Sequence, residues 1–95
     1  MRKTYQLTQI DIDNGASADC HFCPVALLIK RVFPKTIEVE VTYGEIKIEL
    51  INTKIITLKV GKALGSWLRR FDNVFEPVKS RPRLITIDTN AGTII

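Results

Sequence analysis

The chain has 95 residues, of which 45% are apolar, and carries a formal net charge of +4 at pH 7. This length supports one hydrophobic core, so we expect a single domain over residues 1–95, and two cysteines are too few for a disulfide scaffold. No apolar run approaches the roughly 20 residues that span a bilayer, and no secretory signal follows Met1, which predicts a cytoplasmic protein without a membrane partner.

The first predicted elements are an extended segment at residues 4–7 and a short helix after it. Thr8 and Asp11 have the spacing of a capping box, in which each side chain bonds the other residue's backbone N–H. Gly15 follows Asn14, where a left-handed residue closes many helices, so we expect it in that conformation. The chain then enters a loop over residues 16–20.

A longer helix is predicted to begin at Pro24, because proline is tolerated at the first helical position and disrupts a helix that starts earlier. Cys23 is then its N-cap, and Pro34 ends it after about three turns. The apolar positions that recur at helical spacing and provide its core face are Val25, Leu28, Ile29 and Val32.

Residues 37–41 and 46–50 alternate apolar and polar side chains around Tyr43-Gly44, which predicts a β-hairpin with a two-residue turn. The expected pairs on its buried face are Val41 with Ile46, Val39 with Ile48, and Ile37 with Leu50. The same register places Glu38 opposite Glu49, a like-charge pair. A third strand over residues 55–60, after a loop at residues 52–54, completes a meander.

A second main helix is predicted over residues 62–72, where an apolar stripe is formed by Leu64, Trp67, Leu68 and Phe71. Gly65 lies inside this helix, where glycine costs about 1 kcal/mol relative to alanine, so we expect a close backbone contact or a frayed turn there. An irregular segment over residues 74–83 precedes a final strand at 84–88. The predicted class is α+β, with an antiparallel sheet of the meander and terminal strands packed in two layers against two main helices.

Both cysteines lie beside the single histidine, as Cys20, His21 and Cys23. A helix N-terminus stabilises a thiolate at Cys23, as a thiol-redox role requires, but the βαβ context of such motifs is missing. A structural zinc site needs four ligands, so these three residues are weak metal candidates that would need Asp13, Asp19 or a second chain. We favour a third interpretation, in which Cys23 caps the helix and is buried while His21 lies in solvent.

Catalytic motifs are missing from the sequence. A nucleophile needs a base held by a third group, and the only histidine adjoins both thiols. The hairpin glutamates alternate onto its solvated face, and there is no Walker loop, dinucleotide fingerprint or HExxH motif. We therefore predict no enzymatic activity, no catalytic residue and no cofactor.

Positive charge is concentrated in the C-terminal half of the chain. We expect six cations there to form one basic patch near Trp67 or Phe75, and these predicted binding residues are Lys62, Arg69, Arg70, Lys79, Arg81 and Arg83. Such a patch attracts nucleotides, single-stranded nucleic acid or an acidic protein surface. The alternative is an ordinary solvated helix face and loop, with Trp67 in the core.

Several stretches carry a family resemblance: residues 8–15, 23–28, 70–72 and 77–78, with Pro82. They resemble a group of short phage and bacterial proteins that share a Thr-x-x-x-Ile-x-x-Gly opening, a Cys-Pro-Val-Ala-Leu-Ala helix and a later Arg-Phe-Asp followed by Pro-Val-x-Pro. Here Leu28 replaces the usual alanine, and the spacing between the prolines is longer. The resemblance implies a small phage-carried protein that acts by binding, including as an inhibitor of bacterial defence systems.

Three functions remain open at this point. The first is a non-enzymatic phage-type protein that antagonises a host or defence system in the host cytoplasm, as an anti-CRISPR or by sequestering a signal nucleotide. Its basic surface would bind a host protein effector, nucleic acid or a nucleotide. The second is a thiol-redox or zinc-binding protein that uses Cys20 and Cys23. The third is a structural module that forms homo-oligomers through the meander edge or the tail at residues 89–95.

Overall fold

The computed structural model describes residues 1–17, 19–73 and 81–95. Within these ranges it contains six strands and three helices, in the order β1 (Arg2–Leu7), α1 (Gln9–Asn14), α2 (Pro24–Val32), β2 (Thr36–Val41), β3 (Glu45–Leu50), β4 (Ile55–Val60), α3 (Lys62–Asp72), β5 (Arg83–Asp88) and β6 (Thr93–Ile94). The predicted α+β class is confirmed. None of the helices described is long and apolar enough to cross a membrane.

All six strands belong to one sheet, in the order β1-β5-β6-β4-β3-β2. Its pairs are antiparallel except for β4 with β6, which run parallel. The tail does not offer an open edge to a second chain, because β6 lies between β4 and β5, and Ile95 exchanges backbone hydrogen bonds of 2.9 and 3.0 Å with Thr86. Within one chain the pairing sites of this tail are therefore used inside the sheet, and its pairing between chains stays a prediction.

One face of the sheet and the inner faces of α2 and α3 form the core. Leu64, Trp67 and Leu68 of α3 are buried against it, as the helical stripe predicts. The Trp67 ring stacks on Phe71 with 5.7 Å between ring centroids, and its Nε1 donates a hydrogen bond of 3.0 Å to the Arg81 carbonyl. Trp67 is therefore a core residue, in agreement with the alternative interpretation of the basic segment.

The hairpin has the predicted register except at its open end. Val41 pairs with Ile46 and Val39 with Ile48, and Glu38 lies opposite Glu49. Thr36, however, is opposite Leu50, because the register shifts between Thr36 and Glu38. A bulge of this kind adds one unpaired residue to a strand. The predicted pair of Ile37 with Leu50 is wrong, and Ile37 is 58% exposed.

The N-terminal segment packs against α2. The capping box of α1 is present, and the Asp11 carboxylate accepts a 3.0 Å hydrogen bond from the Thr8 backbone N–H. Asp11 is buried, and it also accepts a 2.8 Å hydrogen bond from the Arg31 guanidinium of α2. Gly15 has φ −75°, so the predicted left-handed conformation is wrong. A Cβ atom on Gly15 would lie 2.5 Å from Cδ of Pro24. Glycine is needed here because the chain passes against the proline ring.

Candidate functional site

Cys23 is the N-cap of α2, and the residue is almost fully buried, at 4% exposure. Burial raises the pKa of this thiol to about 11, although the backbone N–H groups of Ala26 and Val25 act in the opposite direction. A neutral thiol is a poor nucleophile and a poor metal ligand. The environment of Cys23 therefore opposes the thiol-redox and zinc interpretations.

The loop before α2 covers part of the outer edge of β2. The Cys20 carbonyl accepts a 2.8 Å hydrogen bond from the Val41 backbone N–H, and His21 Nδ1 donates to the Val39 carbonyl at 2.9 Å. The expectation that His21 lies in solvent holds in part: 38% of its side chain is exposed, while this contact holds the rest of the ring on the strand. Over the residues that the structure describes, no three His, Cys, Asp or Glu side chains come together in a way that could hold a metal ion.

The Cys20–Cys23 corner opens into a cleft of about 360 Å³ between the loop, the hairpin turn and α3. We call it the acidic cleft, and it is lined by Asp19, Cys20, Cys23, Val41, Thr42, Tyr43, Leu68 and Asp72. Two carboxylates contribute to its walls, and the Tyr43 hydroxyl donates a 2.8 Å hydrogen bond to one of them, on Asp72. The residues come from three separate parts of the sequence, which is why no local motif indicated the cleft.

A second open cleft, of about 350 Å³, lies along the N-terminal half of α3. We call it the basic cleft, and its lining residues are Tyr43, Val60, Gly61, Lys62, Gly65, Ser66 and Arg69. The Arg69 guanidinium lies 5.2 Å from the centroid of the Tyr43 ring. A Cβ on Gly65 would be 3.0 Å from the Tyr43 carbonyl, so the predicted close backbone contact at this glycine is confirmed. Helix α3 can therefore approach the hairpin turn and share Tyr43 with it.

Three other predicted cations, Arg70, Arg81 and Arg83, are not among the residues described as lining the basic cleft. Arg83 is partly buried, and desolvation lowers its pKa, with the positive charge of Arg70 as a second cause. Arg81 is exposed, while Lys79 and Phe75 lie outside the described residues. The structure thus places Lys62 with Arg69 and brings Arg70 within electrostatic range of Arg83. The sequence pattern indicated Lys62 and Arg69 but not Tyr43 and Ser66, which also line the basic cleft.

The chain matches no protein-family model, no curated protein and no solved structure. An α+β architecture hosts many unrelated activities, so the fold alone does not select one. Function is therefore inferred from the geometry, burial and charge of the two clefts.

Proposed function

We propose that this chain is a small phage-type binding protein, without enzymatic activity, that antagonises a bacterial host or defence system by holding an anionic partner in the basic cleft. The observation that carries the proposal is that Lys62 and Arg69 line one cleft together with Ser66. No carboxylate is among the residues described as lining it. The family resemblance supports the phage context.

Helical spacing explains why these donors act together. Lys62, Ser66 and Arg69 stand at i, i+4 and i+7, which places all three on one face of α3. Ammonium, guanidinium and hydroxyl groups are the donors that phosphate oxygens accept from, and the charged ones make the stronger hydrogen bonds. The cleft is therefore suited to a phosphate-bearing ligand.

The surroundings of the aromatic residues favour phosphate recognition over base stacking. Proteins that hold single strands without sequence preference stack successive bases on exposed aromatic rings. Trp67 is buried in the core, and Tyr43 already has the Arg69 guanidinium over its ring. These contacts support a nucleotide or another small phosphate compound as the partner rather than an extended strand.

Isothermal titration with a nucleoside triphosphate, and in parallel with a short single-stranded oligonucleotide, tests this proposal. The variant Lys62→Ala/Arg69→Ala should bind the nucleotide at least about tenfold more weakly, since one hydrogen bond to a charged group contributes about 1.5–3 kcal/mol. The matched control Lys54→Ala/Lys59→Ala removes two exposed cations outside the cleft and should bind normally. Affinity should also fall as salt is added, because exposed charges are screened.

Two results would contradict the proposal. One is equal weakening in the control variant, which would indicate a general charge effect rather than a site. The other is binding that does not respond to salt.

The antagonist role needs a separate test in cells. Bacteria that carry a phage defence system would express either the wild-type chain or Lys62→Ala/Arg69→Ala before infection. We expect the wild type to restore phage growth and the variant to fail at equal protein level. If both restore growth equally, the basic cleft is not the antagonist surface.

A further inference from the structure

Strand β1 forms an edge of the sheet, since it pairs with β5 on one side and with no described strand on the other. Four of its six residues are exposed: Arg2, Lys3, Thr4 and Gln6. The loop before α2 partly covers the opposite edge, β2, through hydrogen bonds made by Cys20 and His21. Unpaired N–H and C=O groups along a strand are a template for pairing with another chain. Of the two edges, β1 is therefore the more open to a second strand.

The alternation of hydrogen bonds decides which residues of β1 direct their backbone groups outward. In an antiparallel pair, residues that bond the neighbouring strand alternate with residues whose N–H and C=O point away from it. Thr86 of β5 is opposite Thr4, and its backbone N–H and C=O bond Ile95 at 2.9 and 3.0 Å, on the far side from β1. Thr4 therefore has its own backbone groups on the outer side of β1. The same alternation gives the outward residues of the strand as Arg2, Thr4 and Gln6.

We propose that β1 binds β1 of a second copy of this chain, antiparallel about a two-fold axis at Thr4. Thr4 then lies opposite Thr4, and Arg2 lies opposite Gln6 of the second copy. Each of these pairs can exchange two backbone hydrogen bonds, about six in all. The Gln6 carbonyl already accepts a 3.3 Å hydrogen bond from the Arg31 side chain, which leaves its second lone pair for the new strand. Because pairing occupies the same edge in both copies, the assembly closes as a dimer.

The charges of β1 favour a second copy in this register. Side chains that face each other across an antiparallel pair lie close together, and like charges there are destabilising. In the proposed register Arg2 faces the neutral Gln6, while Lys3 faces Tyr5, whose ring attracts an ammonium placed above it. A register centred on Lys3 would oppose two lysines, and one centred on Tyr5 would leave Arg2 beyond the end of the second strand. The cations that protect this edge from indiscriminate pairing thus permit the two-fold pairing.

Sedimentation equilibrium over a range of protein concentrations tests the proposal. We expect the average mass to rise from the 10.8 kDa of one chain towards twice that value and no further. Thr4→Pro removes an N–H that points away from β5, so the fold should tolerate it, and the dimer should be at least about tenfold weaker. The matched control Thr4→Ala loses the same 2.9 Å bond to the Thr86 hydroxyl but keeps the N–H, and should dimerise normally. A monomer mass up to about 1 mM, a mass that rises beyond the dimer, or equal dimerisation of the two variants would overturn the proposal.

Charge variants at Gln6 test the register. Gln6→Glu places a carboxylate opposite Arg2 of the second copy and should tighten the dimer about threefold or more, whereas Gln6→Lys opposes two cations and should weaken it by a similar factor. Thr57→Glu and Thr57→Lys make the same changes of net charge at an exposed position of β4 and serve as controls. Shifts of equal size at both positions would reflect net charge alone and overturn the register.

Amide hydrogen exchange locates the interface without any substitution. The Thr4 and Gln6 amides should exchange at least about tenfold more slowly in a concentrated sample than in a dilute one, because their outward N–H groups become hydrogen bonded. The Lys3 and Tyr5 amides, which face β5, serve as internal references. If Thr4→Pro fails to fold, this measurement decides, and dimerisation without added protection at Thr4 and Gln6 would overturn the proposal. Pairing goes beyond the proposed function and should persist in Lys62→Ala/Arg69→Ala, so failure of one proposal leaves the other intact.

Discussion

Alkaline pH is expected to destabilise the protein through the buried thiol of Cys23. In the folded chain its pKa is raised from an ordinary value of 9.0 to about 11. Between these values the unfolded thiol loses its proton while the folded thiol keeps it, so the folded state binds more protons and the free energy of unfolding falls as pH rises. The contribution of the protonated Cys23 thiol to the free energy of unfolding is fully present below pH 9 and is lost by about pH 11. Its upper limit is on the order of 3 kcal/mol, since one pKa unit corresponds to about 1.4 kcal/mol.

Urea unfolding of the wild type and Cys23→Ala across this pH range measures the effect. Other alkaline groups titrate in both proteins, so the difference between the two curves isolates Cys23. Wild-type stability should fall more steeply than that of the variant. In a Cys20→Ala background, alkylation of Cys23 by iodoacetamide should be at least about tenfold slower in the folded chain than in urea, because the thiolate is the nucleophile. Parallel pH curves together with fast alkylation of the folded chain would refute the burial argument and restore a reactive-thiol interpretation.

Three further predictions concern stability and are measured by urea unfolding. Gly15→Ala should destabilise the fold by about 2 kcal/mol, because its Cβ meets the Pro24 ring, and a loss below about 0.5 kcal/mol would contradict this. A double-mutant cycle of Asp11→Ala and Arg31→Ala should give a coupling of about 1–2 kcal/mol, since the residues share a 2.8 Å ion pair, whereas additive losses would show no coupling. Thr53 has φ 66°, a conformation unfavourable for a β-branched residue, so Thr53→Asn should stabilise by about 1 kcal/mol and a lower unfolding midpoint would count against it.

Local sequence was sufficient to predict most helices and strands. Pro24 sets the first turn of α2 because its ring allows only that helical position, and α3 has the predicted bounds because its apolar stripe begins and ends with the helix. The hairpin register followed from alternation on either side of Tyr43-Gly44. Each of these features depends on residues that are close along the chain.

Other features depend on contacts between residues that are distant along the chain, and local sequence did not predict them. Gly15 is required by the ring of Pro24, and His21 is held by the carbonyl of Val39, so neither could be judged from adjacent residues. Residues after position 88 lack a clear strand pattern, yet Thr93 and Ile94 form β6, which pairs with β4 on one side and β5 on the other. Such contacts appear only when the whole chain is assembled.

The sequence by itself determined the α+β class, the boundaries of the main helices, the hairpin and the cationic character of α3, because periodicity and capping act over a few residues. Only the tertiary structure decided which charges share a cleft. It placed Lys62 and Arg69 in one cleft and Asp19 and Asp72 in another, and Tyr43 lines both. It also buried Trp67 and Cys23, the residues that had suggested stacking and thiol chemistry. The physical reason is that charge complementarity and burial depend on distances through space. Those distances are set by tertiary packing and not by the spacing of residues along the chain.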